Sequence, residues 1–265
     1  MTTAATTTAS CPARAALAGN PSDSYGGAVV AVPIPDLCAT ASATAHDRFT
    51  VVEDDPDLHR LLQATADGFV EHVGRLPPVL LSASTAIPRS VGLAGSSALV
   101  IATLRALGGA VRYRWDRLEL AQLALAVERD RLDITAGLQD RLVQAVGSPV
   151  AMEFDPVSYE PLAAADGLPL YVAWDPSAAE TSDTTHRALR RRFRADDPLV
   201  RTGMAELAGE ARRAATAIKR DDRRELGRAM DATFDLRRSM IDVAPRQVEL
   251  VMLGREHGAA ANSAG

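Results

Sequence analysis

A turn rich in glycine and serine, at residues 88–98, separates an apolar stretch of β character from an apolar stretch of helical character. Gly92 and Gly95 allow the backbone to adopt positive φ and to come close to a ligand. Residues 96–98 leave the first N–H groups of the following helix without an intrahelical partner. Because those groups and the helix dipole attract anions, the turn predicts a phosphate-binding loop.

The turn differs from the commonest phosphate loop, G-x-x-x-x-G-K-[ST]. No lysine follows Gly95, and residues 88–98 contain no lysine at all. A glycine and serine turn before a helix is also a common structural device, so a purely structural role is the alternative. Two further motifs decide between the two interpretations.

The length and charge of the chain limit the classes of protein to which it can belong. Its 265 residues suit two small domains or one extended α+β unit. Hydrophobic residues make up 47% of the sequence but aromatic residues only 4%, so the core must rest on Ala, Val and Leu. A formal net charge of -5 argues against nucleic acid as the main partner. No stretch approaches the roughly 20 apolar residues that span a bilayer, so we expect no membrane partner.

The first ten residues are rich in Thr and Ala. They lack the basic and apolar regions of a signal peptide, so we expect a disordered leader at 1–10 and a cytoplasmic protein. Cys11 and Cys38 are too few for a disulfide framework and lack the spacing of a metal site. The five histidines form no H-x-x-x-H pair, which argues against a His-ligated transition metal.

Strand-like and helix-like segments alternate in mixed order along the chain. Strands are predicted at 28–34, 38–43, 48–53, 79–85, 150–154 and 170–174. Helices are predicted at 57–73 with Asp57 as N-cap, at 116–128 with a capping box of Asp116 and Glu119, and at 99–107, 137–146, 198–219, 221–230 and 245–253. A basic run at 187–194 is interpreted as a solvated loop or lid. This order favours an α+β fold over a repeating parallel βαβ fold, with a domain boundary between residues 149 and 150.

The second motif, at residues 12–27, combines one cation with several hydrogen-bond acceptors. Arg14 offers a planar cation that can meet a phosphoryl group. Asn20 and Asp23, on a Pro-Ser turn before Tyr25 and two glycines, offer the acceptors that sugar hydroxyls need. The alternative is that Arg14 is a surface ion-pair partner and that the rest is a plain turn.

The third motif places two carboxylates on either side of a turn. Glu128 ends one predicted helix, and Asp140 follows Gly137 at the start of the next. One carboxylate can bind a metal that neutralises a triphosphate, and the other can take or orient the proton of an attacking hydroxyl. Alternatively, Asp140 compensates the helix dipole and Glu128 is a solvated charge at a helix end.

These motifs occur in the order and at the intervals typical of one family, and the chain resembles the GHMP kinases. The turn at 88–98 is similar to P-x-x-x-G-L-x-S-S-A, with Ala94 and Gly95 between Leu93 and the serine pair where the motif has one residue. Residues 12–23 are similar to the sugar-kinase motif P-x-R-x-x-L-x-G-E-x-x-D, with Asn20 in place of Glu. Residues 136–140 are similar to S-G-x-x-D, with Ala136 in place of Ser.

The resemblance covers residues 11–265 and is nearest to the plant-type glucuronokinase branch of the family. A further stretch at 234–238, Phe-Asp-Leu-Arg-Arg, supports this branch and is not shared by GHMP kinases in general. Arg237 or Arg238 could receive a uronate carboxylate in a bidentate fork, and Asp235 could hold that arginine or bond a hydroxyl. An ordinary surface helix would have the same composition.

The resemblance implies a two-domain α+β fold. Residues 11–149 would form a mixed α/β nucleotide-binding domain, and 150–265 a ferredoxin-like α+β domain. Residues 258–265 resemble the opening of a third family motif, so this domain is expected to be truncated at its C-terminal end.

The activity implied by the resemblance is in-line transfer of the γ-phosphoryl group of ATP, with Mg²⁺, to the anomeric hydroxyl of a sugar acid, with glucuronate as the best candidate. A GHMP kinase for another sugar or a mevalonate-type acid is one alternative. A non-catalytic homologue that binds nucleotide or sugar is another. The oligomeric state and the base preference stay open.

The resemblance also implies the role of each site residue. Asp140 would take or orient the hydroxyl proton, and Arg14 would offset developing charge. Ser97 and Glu128 would hold Mg²⁺. The residues implied to bind ATP are Pro88, Arg89, Gly92, Leu93, Ala94, Gly95, Ser96, Ser97 and Ala98. The residues implied to bind the sugar are Asn20, Asp23, Tyr25, Gly137, Asp235 and Arg237.

Overall fold

The computed structural model describes residues 4–165, 167–176 and 183–264. The chain forms two compact units, each built from separate stretches of sequence. The first unit takes its described residues from Met1–Ala13, Ile34–Pro88 and Ala94–Gly147. The second takes its described residues from Arg14–Pro33, Arg89–Leu93 and Ser148–Gly265. Part of the glycine and serine turn therefore belongs to each unit.

In the first unit, helices pack against a group of strands. The strands are the start of β1 (Thr6–Ala18), the end of β2 (Ala28–Ala45), β3 (Thr50–Val51) and β4 (Val79–Thr85). Strand β4 runs antiparallel to β2 and parallel to β3. The helices are α1 (Pro56–Val73), α2 (Gly95–Ala110), α3 (Arg117–Ala126) and α4 (Leu138–Val146), with a π-helical turn at Val127–Arg131 directly after α3.

Helix α1 begins and ends where its capping residues place it. The Asp55 side chain accepts hydrogen bonds from Asp57 N at 2.9 Å and Leu58 N at 3.2 Å. Asp57, predicted as the N-cap, instead lies in the first turn, where its charge suits the helix dipole. Gly74 ends the helix in the left-handed conformation that glycine adopts at little cost. The buried residues Leu62 and Phe69 form its core face.

The expected disordered leader is wrong for residues 6–10, which form the start of β1. Every second residue of this segment pairs its hydroxyl with one on β2. The pairs are Thr6–Thr44 and Thr8–Ser42 at 3.1 Å and Ser10–Thr40 at 3.0 Å. Alternating Thr residues fit a pleated strand because their β-branched side chains stand clear of the backbone, so the Thr-rich composition signals a strand here.

In the second unit, the start of β2 pairs with a β-hairpin. The start of β2 runs antiparallel to β5 (Val150–Phe154), which runs antiparallel to β6 (Val157–Pro161). The helices are α5 (Asp183–Arg194), α6 (Pro198–Lys219), α7 (Arg223–Met240) and α8 (Pro245–Glu256). A core of Leu189, Val200, Met204, Leu207 and Met240 joins α5, α6 and α7.

Several predicted segments differ from those observed. The basic run at 187–194 belongs to helix α5, because Leu189 provides it with an apolar anchor. Residues 170–174 form no strand, and Tyr171 is 94% exposed. The predicted strands at 28–34 and 38–43 are one continuous strand, β2. Across the described ranges, no helix combines the length and apolarity that a bilayer crossing needs.

Candidate active site

The turn at 88–98 has a backbone conformation suited to an anion. Gly92 and Ala94 both adopt positive φ, at 77° and 58°. Helix α2 begins directly afterwards at Gly95, and no side chain in the described part of the chain caps it. The first N–H groups of α2 are therefore left for a ligand, as the sequence predicts for a phosphate loop.

Gln144, which the sequence analysis missed, holds this turn in place. It is fully buried on α4. Its Nε2 donates to the carbonyl oxygens of Ala94 at 3.0 Å and Pro12 at 2.9 Å, and its Oε1 accepts from Ser97 Oγ at 2.8 Å. These bonds secure the left-handed backbone at Ala94. The available signal was a glutamine among the apolar residues of the predicted helix at 137–146.

Glu128 lies at the centre of a buried polar cluster in the first unit. Its side chain is fully buried in the π-helical turn Val127–Arg131. Oε1 accepts a hydrogen bond from Ser96 Oγ at 2.7 Å. Oε2 accepts from Arg141 Nε at 2.6 Å, and Arg141 Nη2 lies 2.5 Å away. Both carboxylate oxygens are therefore engaged by donors, and Glu128 is not the solvated helix-end charge of the alternative interpretation.

Ser96, and not Ser97, contacts Glu128. The Ser97 hydroxyl donates to Gln144 and lies 3.1 Å from the carbonyl oxygen of Ala94. Successive residues of an α-helix point about 100° apart, so the two serines face different neighbours. Ser97, expected to hold Mg²⁺ together with Glu128, bonds Gln144, and Ser96 bonds Glu128.

Asp140 opens helix α4 three residues after its N-cap, Gly137. Its side chain is 17% exposed, and its Oδ2 lies 3.3 Å from Arg141 Nη1. Arg141 is 4% exposed and also donates from Nη1 to the Gly137 carbonyl at 3.0 Å. Arg141 thus links Glu128 and Asp140, the two carboxylates of the third motif. The sequence analysis missed it, although it directly follows Asp140.

Gln139, beside Asp140, is a further residue that the sequence analysis missed. Its side chain is 8% exposed, and its Oε1 accepts no hydrogen bond from any residue that the structure describes. A buried acceptor without a donor is costly, so this oxygen is suited to a hydroxyl group of a ligand.

The residues around Glu128 fit a magnesium ion that arrives with a nucleotide. Mg²⁺ takes oxygen ligands and is commonly held by one or two carboxylates together with phosphates and waters. Glu128 and the Ser96 hydroxyl supply such oxygens. Among the described residues, no cluster of three or more Asp, Glu, His or Cys side chains could hold a metal alone. The donor set therefore suits a metal–nucleotide complex better than a resident ion.

In the second unit, two buried arginines lie near one another. Arg14 donates from Nη1 to the carbonyl oxygens of Gly92, at 3.1 Å, and Ala264. Arg237 donates from Nη1 to Ser263 O at 3.2 Å and to Ser263 Oγ at 2.6 Å. Burial, and then the charge of Arg14, lower the pKa of Arg237 to about 10.

The predicted sugar-binding turn lies in the same unit. Asn20 is 1% exposed, and no donor within the described ranges reaches its Oδ1. Asp23 is also buried, in the one-turn helix Ser22–Tyr25. The Tyr25 ring packs against Phe193 of α5 with a centroid distance of 4.4 Å. Burial raises the pKa of Tyr25, which the charge of Arg190 opposes.

Asp235 is not brought to Arg237. Its Oδ1 accepts from Arg255 Nη1 at 2.9 Å, and its side chain is 59% exposed. Positions two residues apart on a helix point about 200° apart, so Asp235 faces outward where Arg237 faces inward. Asp235 therefore does not hold Arg237, and the alternative that it bonds a substrate hydroxyl stays a prediction.

The sequence is similar to proteins of one kinase family. Residues 60–148 match the family model for the GHMP kinases N terminal domain. The chain is 31% identical to "Probable glucuronokinase 2" of Arabidopsis thaliana, over 96% of this chain and 80% of that protein. It is 28% identical to "Glucuronokinase 1" of the same plant, over 96% and 81%. A Mycobacterium tuberculosis galactokinase is 32% identical over 40% of this chain and 27% of its own.

Solved structures share the fold at lower identity. Lactococcus lactis galactokinase complexed with galactose aligns with a TM-score of 0.75 and 15% identity, over 95% of this chain and 80% of that one. Methanococcus jannaschii mevalonate kinase aligns with a TM-score of 0.73 and 15% identity, over 98% and 87%. Streptococcus pneumoniae phosphomevalonate kinase in complex with phosphomevalonate and AMPPNP gives 0.74 and 16%, over 97% and 88%. The predicted α+β class is confirmed.

Proposed function

This chain belongs to the GHMP kinase family and is a sugar kinase, and on that premise we propose that it phosphorylates the anomeric hydroxyl of a sugar acid, with glucuronate as its substrate. The observation that supports a sugar acid as the substrate is a pair of buried guanidiniums, Arg14 and Arg237, in the unit that contains the motif at residues 12–27. A guanidinium can bond a carboxylate through two parallel charge-assisted hydrogen bonds, whereas a neutral sugar offers no charged acceptor.

The nucleotide end of the proposed site uses the turn at 88–98. Backbone N–H groups at 92–98 would face the phosphates of ATP, as uncapped N–H groups at a helix start favour anions. Glu128 would hold Mg²⁺ together with the Ser96 hydroxyl, in place of Ser97. Mg²⁺, when bound, neutralises the negative charge of the phosphates.

We assign separate roles in phosphoryl transfer to Asp140, in the first unit, and to Arg14, in the second. Asp140 lies in the first turn of α4, directly before Arg141, and its side chain is 17% exposed. We assign to Asp140 the removal or orientation of the hydroxyl proton, and to Arg14 the stabilisation of charge on the transferring group. In-line transfer needs no covalent intermediate, so positioning and charge stabilisation supply most of the catalysis.

Asn20 and Arg237 would orient the sugar. The buried Oδ1 of Asn20 has no donor within the described residues, and a sugar hydroxyl would supply one. Arg237 would bond the uronate carboxylate with its guanidinium fork, while its bond to Ser263 fixes the direction of the side chain.

The test is phosphoryl transfer from Mg²⁺-ATP by the purified protein to glucuronate, galacturonate, galactose, glucose and mevalonate. Turnover on a uronate, with the product identified by ³¹P NMR as a 1-phosphate, would support the proposal. Preference for a neutral sugar or for mevalonate would contradict the assignment of glucuronate as the substrate. ATP binding without turnover on any of the five would favour a non-catalytic homologue.

A further inference from the structure

Arg141 occupies the space between two carboxylates that the proposed reaction uses. Its Nε and Nη2 face Glu128 Oε2 at 2.6 Å and 2.5 Å, and its Nη1 faces Asp140 Oδ2 at 3.3 Å. The same Nη1 bonds the carbonyl oxygen of Gly137 at 3.0 Å. All three guanidinium nitrogens therefore have fixed partners, and the side chain is 4% exposed. All these residues belong to the first unit.

Stability alone gives little reason for an arginine at this place. A buried ion pair must overcome the desolvation of both charges, and well-packed apolar residues often stabilise a core equally well. A lysine would keep the charge, but its single ammonium group cannot reproduce a planar fork with donors in three directions. The arrangement at Arg141 needs the shape of the guanidinium as well as its charge.

The contacts divide the two oxygens of Glu128 between two neighbours. Oε2 is bound by Arg141, whereas Oε1 faces the Ser96 hydroxyl at the start of α2. A carboxylate held through one oxygen by a fixed cation presents its other oxygen in one direction. Partners that orient a metal ligand in this way affect metal affinity without touching the metal themselves.

We propose that Arg141 is a positioning residue of the kinase, which fixes Glu128 so that Oε1 and the Ser96 hydroxyl meet the nucleotide-bound divalent cation, and which aligns Asp140 for the acceptor hydroxyl. The inference rests on the proposed function, because it takes the roles of Glu128 and Asp140 from it. It adds a residue to which neither the family motifs nor the sequence analysis gave a role.

The test compares Arg141→Lys with Arg60→Lys in the 265-residue protein. Arg60 also bonds a backbone carbonyl in the first unit, that of Leu132 at 3.0 Å, but contacts neither carboxylate. Calorimetry gives the dissociation constant of ATP with Mg²⁺ and with EDTA. The constant in EDTA divided by the constant in Mg²⁺, here called the Mg²⁺-dependent ratio, measures how much the cation strengthens ATP binding. Steady-state kinetics gives kcat and the KM for the sugar, and thermal unfolding reports the fold.

For Arg141→Lys we expect kcat and the Mg²⁺-dependent ratio each to fall by about 10- to 100-fold, as for other residues that orient metal ligands. The KM for the sugar should stay close to that of the wild type. Arg60→Lys should leave the ratio and kcat unchanged. Wild-type values of the ratio and of kcat in a folded Arg141→Lys variant would overturn the proposal.

A double variant separates positioning from a general structural effect. If Arg141 acts through Glu128, adding Arg141→Lys to Glu128→Gln should lower the Mg²⁺-dependent ratio no further than Glu128→Gln alone. Losses that multiply would contradict the proposal. If Arg141→Lys does not fold, Glu128→Gln with Arg141→Gln removes both buried charges together, and its ratio must then equal that of Glu128→Gln.

The two proposals fail in different ways. If the wild type phosphorylates no sugar but binds ATP more tightly with Mg²⁺, the proposed function fails, and the calorimetric ratio still tests Arg141. If the wild type phosphorylates glucuronate and a folded Arg141→Lys variant matches it, only the role of Arg141 fails.

Discussion

Gln144 on α4 and Ala94 in the glycine and serine turn are joined by a hydrogen bond of 3.0 Å from the side-chain amide to the backbone carbonyl. Ala94 has a φ of 58°, a conformation that few residues other than glycine adopt without support. The bond therefore couples the conformation of the proposed phosphate loop to the packing of a helix distant in sequence.

Replacing Gln144 by Met should destabilise the protein and loosen the loop. Met has a similar volume but leaves the carbonyl oxygens of Ala94 and Pro12 and the Ser97 hydroxyl without this partner. Because a hydrogen bond contributes about 0.5–1.5 kcal/mol net and three are lost, we expect the free energy of unfolding to fall by about 3 kcal/mol. Denaturant unfolding measures this change.

Gln63→Met is the control for this substitution. Gln63 bonds Asp67 one turn along α1, at 2.9 Å on a partly exposed face. An equal loss of stability in both variants would show that the buried hydrogen bonds of Gln144 stabilise the fold no more than the partly exposed bond of Gln63.

Gly95→Ala should weaken ATP binding without unfolding the protein. A Cβ at this position would meet Ile87 Cγ2 at 3.4 Å, an ordinary contact, and alanine favours helices. A phosphate held against the backbone would be pushed away, so we expect the dissociation constant of ATP to rise more than about tenfold. Gly209→Ala on α6, where a Cβ meets nothing within 4 Å, should leave it unchanged. Calorimetry distinguishes the two, and equal affinities would remove the N-terminus of α2 from the phosphate site.

Asp140→Asn should abolish most turnover while ATP still binds. The amide keeps the shape of the side chain but cannot accept a proton, and the loss of such a group typically costs about 10²–10⁴-fold in rate. Asp130→Asn is a matched control, because Asp130 is an exposed partner of Arg129 at 2.7 Å. A kcat for Asp140→Asn within a few-fold of the control would exclude Asp140 from the chemistry.

Arg237→Gln should reduce the preference for glucuronate over glucose. Because a hydrogen bond to a charged group contributes about 1.5–3 kcal/mol, we expect the ratio of the two kcat/KM values to fall by about 10- to 100-fold. Arg238→Gln should not change this ratio, since Arg238 is exposed on the same helix. If the preference for glucuronate over glucose is the same in Arg237→Gln as in the wild type, Arg237 does not bind the carboxylate.

Glu119→Gln should reduce the dependence of stability on acid pH. Burial alone would raise the pKa of Glu119. Hydrogen bonds from Tyr113 and His72 outweigh this effect, so the pKa lies below its usual value. A carboxylate with a lowered pKa in the fold contributes stability above its unfolded-state pKa, and that contribution is lost as the pH falls through the folded-state pKa. The thermal midpoint of the wild type should therefore fall more between pH 7 and pH 3.5 than that of the variant. Parallel curves would contradict this.

Local sequence signals predicted much of the secondary structure. The strand at 79–85 has the predicted bounds, and the capping box of Asp116 and Glu119 is present at the start of α3. Strong β periodicity and capping chemistry act within a few residues, so they can be read from the sequence directly. The leader was misjudged because the threonines of β1 find their partners more than 30 residues away, on β2.

The candidate site was predictable as a set of residues but not as a set of contacts. Glu128 and Asp140 could be selected by motif, whereas the choice of Ser96 over Ser97 depends on how α2 is rotated against its neighbours. Arg141 and Gln144 resemble ordinary helix residues in the sequence. Their burial, which gives them their importance, arises only when α4 packs against the other segments of the first unit.

The interleaving of the two units has a consequence for how the chain reaches its fold. Strand β2 pairs its residues Ala28–Ala31 with Val150–Glu153 of β5, so the second unit requires segments separated by more than a hundred residues. During synthesis, the early strand of this unit leaves the ribosome long before its partner exists. Such distant pairings slow folding and leave a strand edge uncovered in the interval. Cutting the chain near residue 149 would separate β2 from β5. We therefore expect neither fragment to form the native structure of either unit.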